Sequence, residues 1–80
     1  MTITPAQCRA ARALLGITQK ELKARANVSV STITNFEKNG MPLRGDTLAD
    51  IARALEQAGA FFIDEGAGVV GVRLRKASEI

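Results

Sequence analysis

The N-terminal half of the chain is constrained most by helix-start signals that recur at short intervals. Residues 4–7 and 18–21 each place a threonine three positions before Gln or Glu, which is the pattern of a capping box. Ser29 can cap a third helix. Residues that tolerate positive φ stand where these helices must end: Gly16, Asn27 and Gly40. Three short helices are therefore predicted, the first over about residues 5–15, with about three residues connecting the second to the third.

A fourth helix is predicted after a loop at residues 41–45. Asp46 or Thr47 can cap this helix, and Gly59 ends it. Its apolar residues recur with helical spacing: Leu48, Ile51, Ala52, Leu55 and Ala58. Because the chain has only three aromatic residues, the core between the helices must be built mainly from Ala, Leu, Ile and Val.

After the fourth helix, the spacing of apolar residues changes from the helical period to the two-residue period of a strand. Residues 61–63 are a short apolar run, and residues 64–68 are rich in turn formers. The following segment alternates, which places Val70, Val72 and Leu74 on one face of a strand. The fold class is therefore mainly α, with a C-terminal β-hairpin.

This change of period sets the expected domain organisation: a helical domain over residues 1–59, a hairpin over 60–76 and a tail over 77–80. A domain this small buries only about 60% of its unfolded surface, and the open edges of an isolated hairpin favour pairing. We therefore expect the hairpin either to cover the helical core or to pair with a second copy in a symmetric homodimer. A hairpin that packs only on its own domain is the alternative.

The residue types that the chain lacks exclude most enzyme classes. The 80 residues include no His and a single Cys, Cys8, so one chain cannot form a tetrahedral zinc site, a Cys/His pair or a Ser-His-Asp triad. No catalytic set, metal or cofactor is predicted, and Cys8 is expected to be a small buried apolar residue. No apolar run approaches the roughly 20 residues that span a bilayer, and no signal segment is recognisable. A cytoplasmic protein without a membrane partner is expected.

One nucleotide-binding pattern is matched letter for letter. Residues 66–71 read G-x-G-x-x-G, but that motif works only where the glycines open a helix and an acidic residue follows about 20 positions later. The residues that follow alternate as a strand does, and the chain ends too soon. We interpret these glycines as part of the hairpin turn.

Positive charge is concentrated in the first half of the chain. Residues 1–44 carry seven basic and two acidic side chains, whereas residues 45–58 have a net charge of −2 and residues 59–80 are neutral. This distribution is compatible with a polyanion on one face. A solvated helical surface would have a similar distribution.

The second and third predicted helices form a helix-turn-helix unit. Ile33 and Phe36 point inward on the third helix, and the only acid of that helix, Glu37, lies at the margin of the outer face. The residues left outward are Val30, Ser31, Thr34, Asn35 and Lys38. Such a face can approach DNA without strong repulsion.

Several short motifs between residues 9 and 58 are specific as a set. They are Arg12-x-x-x-Gly16-Ile17-Thr18-Gln19, Glu21-Leu22, Ala26-Asn27-Val28-Ser29, Ser31-Thr32-Ile33, Phe36-Glu37 and Thr47-Leu48-x-x-Ile51-Ala52-x-Ala54-Leu55. In these motifs the chain resembles the Cro/CI-type, or Xre-type, helix-turn-helix regulators. The resemblance implies a lambda-repressor-like bundle of four or five helices that binds double-stranded DNA, usually as a dimer.

The resemblance also implies which side chains contact DNA. The implied base contacts are Val30, Ser31, Thr34 and Asn35. The implied phosphate contacts are Gln19, Thr32, Lys38, Asn39 and Arg44, and Gln19 would also support the recognition helix. Asn can bond adenine through two hydrogen bonds, and Val can meet a thymine methyl. Arg12 and Glu37 stand where related proteins form a partly buried ion pair, a structural role.

Three positions depart from the family pattern. Lys23 stands where a small Ala usually packs, and Asn27 replaces the common turn glycine. Val30 occupies a position often held by a long polar or basic residue, so weaker base readout than usual is expected.

The function implied is a sequence-specific DNA-binding transcriptional regulator of bacterial or phage type, a repressor that acts as a homodimer through the hairpin. One alternative is the antitoxin of a toxin–antitoxin pair. Another is a helix-turn-helix module that binds proteins and not DNA. A regulator should bind duplex DNA in a salt-dependent way, whereas a protein-binding module should not.

Overall fold

The computed structural model describes residues 2–75 and confirms a mainly α fold with a C-terminal hairpin. Its elements are the helices α1 (Pro5–Leu15), α2 (Gln19–Ala26), α3 (Val30–Asn39) and α4 (Gly45–Ala58), followed by the strands β1 (Ala60–Gly66) and β2 (Val69–Leu74). The last hairpin position, Lys76, and the tail over residues 77–80 lie outside the described residues.

The first three helices begin and end where their local signals predict. Both bonds of the capping box are present at Thr4 and again at Thr18, and the hydroxyl of Ser29 accepts from the Thr32 amide at 3.2 Å. The residues in left-handed conformation at their C-terminal ends are Gly16, Asn27 and Gly40. Because each helix carries its own start and stop, the turn between α2 and α3 has little freedom.

The predicted N-cap of α4 is wrong, whereas the predicted end of the helix at Gly59 is confirmed. The helix begins at Gly45, with Arg44 in the N-cap position and no side-chain hydrogen bond to the first turn. Asp46 lies inside the first turn, where its Oδ1 accepts from the Thr47 amide at 2.8 Å. A carboxylate is favourable both as a cap and in the first turn, because both places lie at the positive end of the helix dipole. The residue type alone therefore predicted the start of α4 two or three positions too late.

The hairpin is antiparallel, and β1 is longer than predicted. It continues through Asp64 to Gly66, so the turn contains only Ala67 and Gly68, both at positive φ (52° and 79°). Polar residues favour a loop in sequence, yet a strand exposed to solvent on one side accepts them. The glycine pattern at residues 66–71 runs from the last residue of β1 through this turn into β2, and it opens no helix.

The core lies between the four helices, and the inner face of the hairpin covers it. Ala60 and Phe62 are buried, and Val72 packs beside them, whereas Val70 and Leu74 remain about half exposed. Cys8 is fully buried, as predicted. The buried apolar residues are Ile3, Cys8, Ala11, Leu22, Ala26, Ile33, Phe36, Ile51, Ala52, Ala54, Leu55, Ala60 and Phe62.

The side chain of Gln7 joins the hairpin to α1. The Nε2 group of Gln7, which is 3% exposed, donates to the carbonyls of Ile63 at 3.1 Å and Gly71 at 2.9 Å, one on each strand. Its Oε1 accepts from the Thr4 amide at 2.9 Å. Gln7 therefore completes the capping box of α1 and holds both strands at once. Within residues 2–75, no helix is both long and apolar enough to cross a membrane.

Candidate nucleic-acid interface

The turn between α2 and α3 presents one face of α3 to solvent. Ile33 and Phe36 are buried against the core, which fixes the rotation of the helix about its axis. The predicted contact residues that are exposed are Ser31, Asn35, Lys38, Asn39 and Arg44. Those that are half-buried are Gln19, Val30, Thr32 and Thr34. The four exposed residues on α3 share its outer side, and Arg44 stands immediately before α4.

Glu37 does not lie at the margin of this outer face, as the sequence predicted. Its side chain is 3% exposed and points beneath α3. Arg12 of α1 donates through Nε to Oε2 at 2.8 Å and through Nη2 to Oε1 at 2.7 Å. This bidentate pair ties α1 to α3, in the structural role that the family resemblance implied.

Further donors complete a polar network of Arg12, Glu37, Cys8, Gln19 and Thr34. The Cys8 thiol donates to Glu37 Oε2 at 3.0 Å, and Gln19 Nε2 donates to Oε1 at 3.0 Å. Gln19 Oε1 in turn accepts from the Thr34 hydroxyl at 2.8 Å. The network therefore joins α1, the first residue of α2 and the middle of α3.

The network keeps Glu37 ionised although it is buried. Burial favours the neutral acid, but hydrogen bonds from Arg12, Cys8 and Gln19 outweigh it and hold the pKa of this carboxyl below its ordinary value. Burial, reinforced by the bond to Glu37, raises the pKa of the Cys8 thiol, so the thiol stays protonated and donates. The hydrogen bond to Glu37 likewise raises the pKa of Arg12.

This arrangement removes negative charge from the outer face of α3. Glu37 is the only acid in the helix, and it is buried and paired with Arg12. What remains outward is hydroxyl, amide, apolar and cationic. Such a surface suits the edges of bases and the phosphates beside them.

An open groove runs beside α3, and sequence reasoning missed one of its residues. Arg9 lines this groove, and its guanidinium donates to the backbone carbonyl of Glu37. The groove is lined by Arg9, Arg12, Gln19, Thr34, Glu37 and Lys38. The spacing of Arg9 and Arg12 was the available signal, because residues three apart share a helix face.

Two weaker contacts involve predicted DNA-contact residues that are exposed. The Asn39 amide donates to Asn35 Oδ1 at 3.3 Å, one helical turn away. Arg44 lies 3.4 Å from Asp46, with side chains 84% and 70% exposed. A pair this exposed contributes little energy, so the Arg44 guanidinium remains available to a phosphate.

The comparisons with known proteins agree with this geometry. The helix-turn-helix family model matches residues 9–58, more than half of the chain. A search of curated proteins gives no match. The matched segment contains α2, the turn, α3 and the polar network except for Cys8. The chain therefore belongs to the Cro/CI-type, Xre-like helix-turn-helix family and is a DNA-binding helix-turn-helix protein.

Proposed function

We propose that this protein is a sequence-specific transcriptional regulator that represses by binding a pseudo-palindromic DNA site as a homodimer. The observation that carries the proposal is the outer face of α3, where hydroxyl, amide and cationic groups are exposed while Glu37 is buried and paired. A helix with such a face can enter the major groove without desolvating an unpaired acid.

The proposed base contacts lie on the outer side of α3: Val30, Ser31, Thr34 and Asn35. Asn35 is exposed, and its amide can bond adenine through one donor and one acceptor. The bond from Asn39 to Asn35 Oδ1 leaves the two amide hydrogens of Asn35 free to donate. Asn35 is therefore the residue we expect to contribute most to sequence preference.

The proposed phosphate contacts surround this face: Gln19, Thr32, Lys38, Asn39 and Arg44. Gln19 is the first residue of α2, and Arg44 holds the N-cap position of α4. The amides at helix N-termini favour anions, and the exposed cations Lys38 and Arg44 add charge beside them. These contacts would supply affinity and register without reading the sequence.

Selection from a random duplex pool, followed by fluorescence anisotropy at two salt concentrations, tests this proposal. Arg44→Ala should weaken binding to every duplex alike and reduce the salt slope by about 1. Asn35→Ala should cost about 1–3 kcal/mol on the preferred sequence and little on others. The two variants thus separate phosphate contacts from base contacts.

Arg53→Ala is the matched control. Arg53 is also an exposed arginine of the α4 region that pairs with a nearby aspartate, Asp50, at 3.1 Å. It lies beside the C-terminal end of α2, in a groove with Arg25 and Asn27. Its loss should leave the salt slope unchanged. Binding to no duplex at either salt would contradict the proposal and favour a protein partner for α3.

The homodimer is proposed to form along β2 and α1. An open apolar groove separates these elements, and Leu14 and Val70 on its walls are 49% and 44% exposed. In this two-stranded sheet each strand also keeps one unpaired edge, which favours pairing with another strand. A two-fold axis would place the same groove of a second copy against it.

Sedimentation equilibrium over a range of protein concentrations tests the dimer. Val70→Lys should shift the protein toward the monomer because it places a charge in the proposed interface. Phe61→Lys is the control, since Phe61 is 53% exposed on the opposite face of the hairpin. A concentration-independent monomer mass for the unaltered protein would remove the homodimer from the proposed function.

A further inference from the structure

The hydroxyl of Thr34 is engaged in a hydrogen bond within the protein. Ionised Glu37 can only accept hydrogen bonds, so the amide NH2 of Gln19, 3.0 Å away, must face it. The oxygen of the same amide then faces Thr34, and the Thr34 hydroxyl must donate to it, at 2.8 Å. The chemistry of the three groups fixes the direction of both bonds.

This hydrogen bond limits the contacts that the Thr34 side chain can make with a binding partner. A threonine hydroxyl carries one hydrogen, and here it is used, so the side chain cannot donate to a base without breaking the bond to Gln19. With its hydrogen engaged on α2, the hydroxyl can meet a base only as an acceptor. The γ-methyl is the apolar group that Thr34 keeps for a direct contact.

Val30 lies four residues before Thr34 on α3, and both side chains are half-buried. Residues with this spacing are neighbours on a helix face. Both are β-branched, and β-branched side chains are stiff about χ1 in a helix. Together they form a methyl pair (Val30 and Thr34) beside the stripe of exposed hydrogen-bonding residues Ser31 and Asn35.

We propose that the methyl pair reads thymine, so that the preferred DNA half-site carries thymine where Val30 and Thr34 meet the major groove. Thymine is the only standard base with an apolar group, its 5-methyl, on the major-groove edge. Opposite Val30, which has no polar side-chain atom, any other base would leave a polar edge facing methyl groups and lose its hydration without a partner. This inference rests on the proposed function and names the base that part of α3 selects.

Replacing thymine by deoxyuridine tests the inference, because this change removes the 5-methyl group and keeps the pairing and the O4 acceptor. The duplex enriched by selection is synthesised with each thymine replaced in turn, and Kd is measured for the unaltered protein. At one or more positions in each half-site, the substitution should weaken binding about fourfold, as expected for one methyl-sized group returned to water.

Four variants then assign the effect to the methyl pair. Val30→Ala and Thr34→Ser remove methyl groups. At the position that each residue contacts, the variant should bind the deoxyuridine duplex and the thymine duplex with nearly equal Kd. Thr34→Val keeps a γ-methyl at this position and should retain the effect. Arg53→Ala, at an exposed residue outside the proposed contact set, is the control and should also retain it.

The outcomes distinguish this inference from the proposed function. An enriched duplex that tolerates deoxyuridine at every thymine, or contains none in its half-sites, overturns thymine reading and leaves sequence-specific binding intact. An effect that persists in both Val30→Ala and Thr34→Ser overturns the assignment to the methyl pair. Enrichment of no sequence overturns both proposals.

Discussion

The polar network beneath α3 and the C-terminal hairpin are held in place by different kinds of contact. In the network, hydrogen bonds of 2.7–3.0 Å connect Glu37 to side chains of α1 and α2. The hairpin instead packs Ala60 and Phe62 on the helices, has one hydrogen-bonding side chain of α1, Gln7, across both strands, and exposes much of its outer face. Directional bonds fix how side chains point, whereas apolar burial holds a strand and tolerates changes on its other face. The proposed DNA-reading side thus has the stricter geometry.

The largest expected effect comes from breaking the network. Glu37→Ala leaves Arg12, whose side chain is 20% exposed, without its partner and removes the acceptor of Cys8 and Gln19. Removing one member of a buried ion pair costs about 3–5 kcal/mol. Urea unfolding should show this loss. Glu56→Ala, at an exposed glutamate of α4, should change stability by no more than about 0.5 kcal/mol.

The dependence of stability on pH in the acid range tests the role of the Glu37 carboxylate. Because the folded pKa of Glu37 lies below its ordinary value of 4.5, its stabilising effect is complete above that pH and is lost as pH falls through the folded pKa. Glu37→Gln keeps the shape of the side chain and should flatten this part of the profile. An unchanged profile would contradict the role assigned to the network.

Two adjacent phenylalanines measure how far burial alone holds the hairpin. Phe62 is 5% exposed and Phe61 is 53% exposed. Phe62→Ala should cost about 3 kcal/mol, the lower end for a phenylalanine in a core. Phe61→Ala loses the contact with Arg73, 5.7 Å from its ring centroid, which contributes about 0.5–1 kcal/mol at an exposed site. Equal losses in thermal unfolding would show that the outer face is also packed in solution.

Two capping boxes isolate a smaller effect than the loss of Phe62, namely the bonds from Gln7 to the strands. Gln7 and Glu21 hold the same position in the capping boxes of α1 and α2, but only Gln7 also bonds β1 and β2. Gln7→Ala should cost about 2 kcal/mol, from up to three hydrogen bonds, and Glu21→Ala about 0.5 kcal/mol. Amide exchange should accelerate throughout the hairpin in Gln7→Ala alone. An unaffected hairpin would mean that these two bonds add nothing to its apolar contacts.

The sequence was sufficient for the elements whose signals are local. Thr4, Thr18 and Ser29 each bond within three residues, so the starts of α1, α2 and α3 could be predicted from the residues alone. The start of α4 could not, because Asp46 favours a cap and a first turn equally. The end of β1 was missed because Asp64 is polar on a strand that faces solvent on one side.

The candidate site shows the same division between local and distant contacts. The helical period, with Ile33 and Phe36 inward, predicts Glu37 at the margin of the outer face, and only the family resemblance paired it with Arg12. The bond from Thr34 to Gln19 and the bonds from Gln7 to the hairpin join residues 15 to 64 positions apart. Contacts of this kind depend on how whole elements pack, which no local pattern encodes.

The position of Gln7 has a consequence for the order of folding. Its two acceptor carbonyls, on Ile63 and Gly71, come together only when both strands have paired. Closing a contact over 56 to 64 residues costs more chain entropy than any helix-turn-helix contact does. We therefore expect the helices to assemble first and the hairpin to dock last. During synthesis, nearly all of residues 2–75 must be made before the Gln7 side chain, at the start of α1, can form all of its hydrogen bonds.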